Sequence, residues 1–242
     1  MKPPVTTPFA DALARTLKQI RAAEIRFNRE PESVSLLAVS KTKPVDAIRE
    51  AMAAGQRAFG ENYVDEALDK IKVLADSVPT RTGPPCEWHF IGAIQSNKTR
   101  VLAENLDWVH ALDREKIARR LSEQRPADRP PLNCCVQLNL DHEATKSGVT
   151  EKELPELCET VAQLPGLNLR GLMVIPAPRD TLTEQRAIFS RVHALYETQK
   201  QRWPTIDTLS MGMSNDIEAA IAEGSTMVRV GTALFGARDR PA

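Results

Sequence analysis

The chain has 242 residues, 42% of them hydrophobic and 26% charged, which is enough apolar material for one large domain or two small ones. Lys plus Arg and Asp plus Glu both number 32, so the formal net charge is zero; that balance argues against nucleic-acid binding driven by bulk charge and leaves room for a local anion site. No stretch approaches the roughly 20 apolar residues of a membrane span, and Lys18 and Arg21 interrupt the apolar core that a signal peptide needs.

Residues 1–8 hold three prolines and are expected to lie loosely on the surface. Phe9, Leu13, Leu17 and Ile20 then recur about one turn apart, which predicts an extra N-terminal helix within 9–29. The next stretch is Val34-Ser35-Leu36-Leu37-Ala38-Val39-Ser40-Lys41, an apolar run that stops at a lysine before Thr42-Lys43-Pro44. Such a run, closed by a proline turn, reads as a buried strand. Further strands are expected at 56–59, 86–91, 107–111, 133–140, 168–174, 206–211 and 227–231, after a first at 34–39. Helices are expected at 45–54, 62–75, 97–105, 114–124, 151–164, 181–202 and 215–223.

Eight strands separated by helices within one domain's length predict a single-domain α/β protein, a (β/α)8 barrel of the TIM type. A doubly wound sheet is the architectural alternative. No Gly-x-Gly-x-x-Gly follows the first strand, so a dinucleotide fold is disfavoured. The four cysteines are Cys86, Cys134, Cys135 and Cys158, with no CxxC among them. Neighbours on a strand point to opposite faces, so Cys134 and Cys135 make a poor metal or redox pair. Reduced packing cysteines in a cytoplasmic protein are the expectation.

In a parallel barrel the ligand site gathers at the carboxyl ends of the strands. Lys41 falls there. A lysine in that place can serve as a cation, a proton carrier or a Schiff-base nucleophile; for one lysine alone, snorkelling to solvent is the plainer reading. Strand two leads into Gly60-Glu61-Asn62-Tyr63, and strand three, with Trp88-His89-Phe90-Ile91-Gly92, leads into Gln95-Ser96-Asn97-Lys98. Ser96 reads as an N-cap, while Asn62 and His89 divide between local hydrogen bonding and ligand contact. Strand seven ends in Ser210-Met211-Gly212-Met213-Ser214-Asn215-Asp216, and strand eight reads Met227-Val228-Arg229-Val230-Gly231-Thr232. Alternation turns Val228 and Val230 toward the helices and Met227, Arg229 and Gly231 inward. An inward arginine is costly unless it is paired or meets a ligand. Loops after strands seven and eight often hold phosphate in barrels, and here they offer Gly212, Ser214, Gly231 and Thr232. Each alone is an ordinary turn or cap residue; together with Lys41 they suggest a phosphorylated carbonyl ligand.

The order and spacing of these blocks resemble the pyridoxal phosphate homeostasis protein family, related to the barrel domain of alanine racemase. The likeness runs from about Val34 to Arg238. It also includes Lys146-Ser147-Gly148, Gly171-Leu172-Met173, Gly212-Met213-Ser214-x-Asp216 and Val228-Arg229-x-Gly231-Thr232. The resemblance implies a fold-type III barrel in which Lys41 forms a Schiff base with pyridoxal 5′-phosphate (PLP). It implies that Ser214, Gly231 and Thr232 hold the phosphate and that Arg229 faces the pyridine nitrogen. Asn62, His89 and Met173 match positions close to the cofactor. The stretch 138–145 departs from the family pattern.

The function so implied is intracellular vitamin B6 homeostasis, by a monomer that carries or buffers PLP and has apo PLP-dependent enzymes as candidate recipients. No nucleic acid, membrane or metal is expected, and no catalysis. The rival is a PLP-dependent amino-acid racemase, which needs acid and base groups on both faces of the substrate α-carbon. In alanine racemase the second group is a tyrosine from an added β-domain, and Tyr63 and Tyr196 do not match it. A third reading is an aldolase-like Schiff-base enzyme without cofactor.

Overall fold

The computed structural model describes residues 7–76, 85–141 and 147–236. Residues 1–6 of the segment expected to be loose, 142–145 of the divergent stretch, Lys146 and Arg238 lie outside the described residues.

Among the described residues, eight strands close into one barrel in sequence order, every pairing parallel. They are β1 (Ser35–Val39), β2 (Ala58–Glu61), β3 (Glu87–Phe90), β4 (Trp108–Leu112), β5 (Leu132–Leu138), β6 (Leu167–Val174), β7 (Thr208–Ser210) and β8 (Met227–Val230). The helices are α1 (Pro8–Arg26), α2 (Val45–Ala53), α3 (Val64–Asp76), α4 (Thr99–Asn105), α5 (Glu115–Gln124), α6 (Leu154–Ala162), α7 (Leu182–Arg202), α8 (Ile217–Ala222) and α9 (Thr232–Phe235). The barrel expected from sequence is therefore the fold.

α1 begins one residue earlier than its apolar stripe suggests. Thr7 accepts a hydrogen bond from the Ala10 N–H at 3.2 Å and Pro8 occupies the first turn, both favoured at a helix start. It stops at Arg26, short of residue 29, because Asn28 takes a left-handed φ of 52°. β2 lies two residues later than expected. Gln56 is not strand: its side-chain amide donates to the carbonyls of Leu36 at 3.1 Å and Ala58 at 2.7 Å, tying the entry of β2 to β1. The N-cap expectation for Ser96 fails. Lys98 stands at the cap of α4, and the Ser96 carbonyl accepts from Thr99 and Arg120. α9 was not expected, being four residues long and so too short to show a period.

Alternation sorts the strand residues into two cores. Ala38, Phe59, Phe90, Val109, Cys134, Leu172, Leu209 and Val228 pack outward against the helices. Inside the barrel, Leu37, Ile91 and Met227 form one cluster, and Trp108, Ala111, Cys135 and Met173 another. Cys134 and Cys135 thus face opposite sides, as expected, and the described cysteines are free. Gly171 permits closure between β6 and β7: a Cβ there would lie 1.6 Å from the Thr208 carbonyl oxygen. The rest of the interior is polar, with His89, His110, Ser210 and Arg229 all buried. No described helix is long and apolar enough to cross a membrane.

Candidate functional site

Lys41 lies two residues beyond β1, half-buried, on the side of the chain that alternation shares with Leu37 and Val39. The turn that carries it is unusual. Thr42 has φ 63°, a left-handed conformation that is strained for a β-branched residue. Its N–H donates to Glu66 Oε1 at 2.6 Å. Behind the turn, the buried Lys70 ammonium donates to the Ser40 carbonyl at 2.7 Å, Glu61 at 2.8 Å and Glu66 at 2.6 Å. The Ser40 hydroxyl donates to the same Glu61 oxygen at 2.6 Å. Burial pushes the Glu61 carboxyl upward, against the Lys70 charge and the bonds from Lys70 and Ser40. A buried pair contributes little net stability but is costly to break, so this network fixes the backbone on which Lys41 stands. Sequence reading missed Lys70; it is one lysine on an amphipathic helix, and nothing local marks it as buried.

Asn62 follows β2 directly, and β2 pairs with β1 through Val39 and Gly60. Its Oδ1 is buried without a hydrogen-bond partner among the described residues, an acceptor that a ligand would satisfy. Across β1 on the other side, β8 delivers Gly231 against Val39: a Cβ on Gly231 would meet the Val39 carbonyl oxygen at 3.2 Å. Gly231 and Thr232 open α9, with Thr232 exposed. Ser214 sits half-buried in the turn between β7 and α8. The helix begins at 217, not at 215, and Asp216 stands at its N-cap position with its side chain turned back to accept from the Met213 N–H at 2.5 Å. Lys41, Asn62, Gly231, Thr232 and Ser214 therefore belong to four adjacent strand ends, those of β2, β1, β8 and β7.

Arg229 points inward and is 3% exposed. Its guanidinium donates to the Ser210 carbonyl at 2.6 Å, the Ser210 hydroxyl at 2.9 Å and the Val174 carbonyl at 2.9 Å. Three of the five donors of a guanidinium are used this way, leaving others for a ligand. Burial lowers its pKa to about 10, with Asp216 opposing, so it is a cation at neutral pH. Met173 is buried in the interior cluster one residue from the end of β6, level with Ser210. His89 is fully buried, and its ring bonds to His110 at 2.9 Å. It stands one residue from the end of β3, in line with Gly60 of β2 and, through it, with Val39 at the end of β1. His110 and Ser210 were not singled out by sequence reading as site residues; the period-two placement of Trp108 and His110 on β4 was the available signal.

Among the described residues, no group of three or more His, Cys, Asp or Glu side chains is arranged to hold a metal ion. The site is instead one amine, a buried fixed cation, an unpartnered carbonyl and two loops rich in small residues. That set suits an anionic, ring-bearing carbonyl compound.

The alanine racemase N-terminal domain model matches residues 10–239. The chain is 54% identical over 231 residues to the pyridoxal phosphate homeostasis protein of Escherichia coli strain K12, covering 96% of this chain and 97% of that one. It is 56% identical over 231 residues to the protein of the same name from Pseudomonas aeruginosa, covering 96% of each. Among solved structures, PipY of Synechococcus elongatus PCC7942 with PLP bound superposes with a TM-score of 0.77 at 39% identity, over 94% of this chain and all of that one. Sequence and fold agree: the chain belongs to the alanine racemase N-terminal domain family and, within it, to the pyridoxal phosphate homeostasis proteins.

Proposed function

We propose that this chain binds PLP at the carboxyl mouth of its barrel, with Lys41 as the covalent anchor, and serves vitamin B6 homeostasis as a carrier or buffer and not as an amino-acid racemase. The observation that carries the reading is the fit of the mouth. An amine on a strained, buttressed turn follows the strand next to the one that carries the unpartnered buried Asn62 oxygen, with a caged arginine within the same barrel. PLP, when bound, supplies an aldehyde that condenses reversibly with a lysine amine. The residues then divide the work. Lys41 presents its amine at the end of β1. Ser214, Gly231 and Thr232 hold the phosphate through a hydroxyl and backbone N–H groups. Arg229 donates to the ring nitrogen, and because a guanidinium does not usefully accept a proton, it keeps that nitrogen an acceptor. Asn62 and Met173 line the ring, and His89 acts from behind. Release to apo PLP-dependent enzymes, by a cytoplasmic monomer, would make the influence on amino-acid and keto-acid metabolism indirect.

Racemisation would need a second proton carrier opposite Lys41. Tyr63 is 55% exposed at the rim. Tyr196 lies on α7 near Thr226, which immediately precedes β8, and burial raises its pKa to about 12. The place of Tyr196 on the outer helix layer counts against it, and the exposure of Tyr63 counts against a fixed proton carrier. Solvent deuterium exchange at the α-carbon of common amino acids tests this: the PLP-loaded protein should exchange no faster than free cofactor. Sustained turnover that disappears in Lys41→Ala would overturn the non-enzyme reading.

A further inference from the structure

The polar interior of the barrel is continuous. Arg229 donates to the Ser210 hydroxyl at 2.9 Å, Ser210 Oγ lies 3.0 Å from His110 Nδ1, and His110 Nε2 lies 2.9 Å from His89 Nδ1. His89 Nε2 stands 3.2 Å from Glu87 Oε2, at an angle too oblique for a full hydrogen bond. Trp108 Nε1 fixes the other Glu87 oxygen at 2.6 Å. The Glu87 side chain is 46% exposed at the start of β3, so the chain crosses from the ligand end of the barrel to the opposite face.

Its polarity is determined at both ends. A guanidinium only donates, so Ser210 Oγ accepts from Arg229 and can pass its own proton to His110 Nδ1. His110 then carries its proton on Nε2 and donates to His89, and His89 carries its proton toward Glu87. The opposite polarity would set a bare His89 nitrogen lone pair against the Glu87 carboxylate and leave the Ser210 proton without this acceptor. In the first arrangement each hydrogen between Arg229 and His89 is used once, and the His89 Nε2 hydrogen faces the Glu87 carboxylate. Burial, with the Arg229 charge adding to it, holds His110 well below the usual imidazole range, consistent with a neutral ring. The other ionisable groups facing this spine are Arg170 and Asp207 at the Glu87 end and Asp216 and Cys135 near Arg229. Arg170 stacks 4.8 Å from the Trp108 ring centroid and is held by Asp207, which ties the far end down.

We propose that Ser210, His110 and His89 form a one-directional hydrogen-bonded spine that orients Arg229, so that His110 is a positioning residue setting the site's preference for a ring with an acceptor nitrogen. This rests on the reading that Arg229 faces the PLP ring. Without the spine the Ser210 hydroxyl is free to turn, and the Arg229 Nη1 clamp on Ser210 loosens although the charge remains.

Two readouts test it, one of them without ligand. Nitrogen NMR of histidine-labelled protein, assigned with His110→Phe, should show His110 protonated at Nε2 and bare at Nδ1 across roughly pH 5.5–8.5, where a free imidazole would titrate, and neutral His89 in the same tautomer. An Nδ1–H tautomer at either ring, or titration of His110 in that range, would overturn the spine. For the ligand, equilibrium binding is measured with PLP and with its 1-deaza analogue, in which carbon replaces the ring nitrogen. The preference of the unaltered protein for PLP should fall roughly 3- to 10-fold in His110→Phe, the range for one lost hydrogen bond, with the analogue's affinity changed less than about twofold. Ser210→Ala gives the same comparison should His110→Phe fail to fold. Equal weakening of both probes would reduce the spine to general structure and refute the positioning role. If the unaltered protein binds neither probe, the PLP reading fails, while the NMR result still decides the spine.

Discussion

In the proposed reading Lys41 and Ser214 would hold opposite ends of the ligand, and their substitutions should separate cleanly. The described part of the phosphate cradle has no dedicated lysine, so each hydrogen bond to the phosphate counts. Removing the Ser214 hydroxyl deletes one bond to a charged group, worth about 1.5–3 kcal/mol. Ser214→Ala should therefore weaken PLP roughly 10- to 150-fold and leave unphosphorylated pyridoxal unaffected. Lys41→Ala should abolish covalent attachment and retain weaker binding through the phosphate. Equilibrium dialysis with both vitamers decides this; equal weakening of the two by Ser214→Ala would remove Ser214 from the phosphate site. Lys41, Ser214 and Arg229 stood out in the sequence as candidates because a charged or hydroxyl residue interrupts an apolar or glycine-bearing strand end. Lys70 and His110 were not, because their significance lies in partners distant in sequence: Ser40 and Glu61 for one, His89 and Ser210 for the other.

α1 is not part of the eightfold repeat, and besides its apolar packing one buried side chain ties its end to the entry of β1. Glu24 is 1% exposed and accepts from the Val34 N–H at 2.8 Å, the Glu32 N–H at 3.2 Å and the Arg21 guanidinium. Burial works to raise its pKa, but the Arg21 bond and the two amides outweigh it and hold the carboxyl below its ordinary range. A depressed carboxylate pKa adds stability above the unfolded value of about 4.3, and that stability is lost as pH falls through the folded value. Glu24→Ala also strands two backbone donors, so it should cost about 2–4 kcal/mol near neutral pH. Urea melts across pH should show this gap constant above about pH 5 and narrowing below it; a gap that persisted undiminished through the acid range would contradict the linkage. At this scale the sequence was informative wherever an apolar period ran for several turns, as in α1. It was weakest where elements are short. β7 has three residues and α9 four, and β2 is set by the Gln56 side-chain bonds, which carry no periodicity.

The molecule as a whole combines an apolar shell between sheet and helices with a barrel interior whose middle is polar. The alternation of apolar runs with amphipathic segments made the shell readable, hence the eight-stranded barrel. The interior was less so, because a buried histidine or serine looks in sequence like a surface one until the opposite strand is known. The described residues place two lysines closest to the proposed chemistry besides Lys41. Lys43 lies two residues on, half-buried past the strained Thr42. Lys70 is buried with three acceptors on its ammonium, which occupies the three donors it has. Borohydride reduction of the PLP-loaded protein, followed by peptide mapping by mass spectrometry, tells the three apart. The account predicts one pyridoxyl group on Lys41, absent in Lys41→Ala; a label on Lys43 or Lys70, or on no lysine, would contradict it.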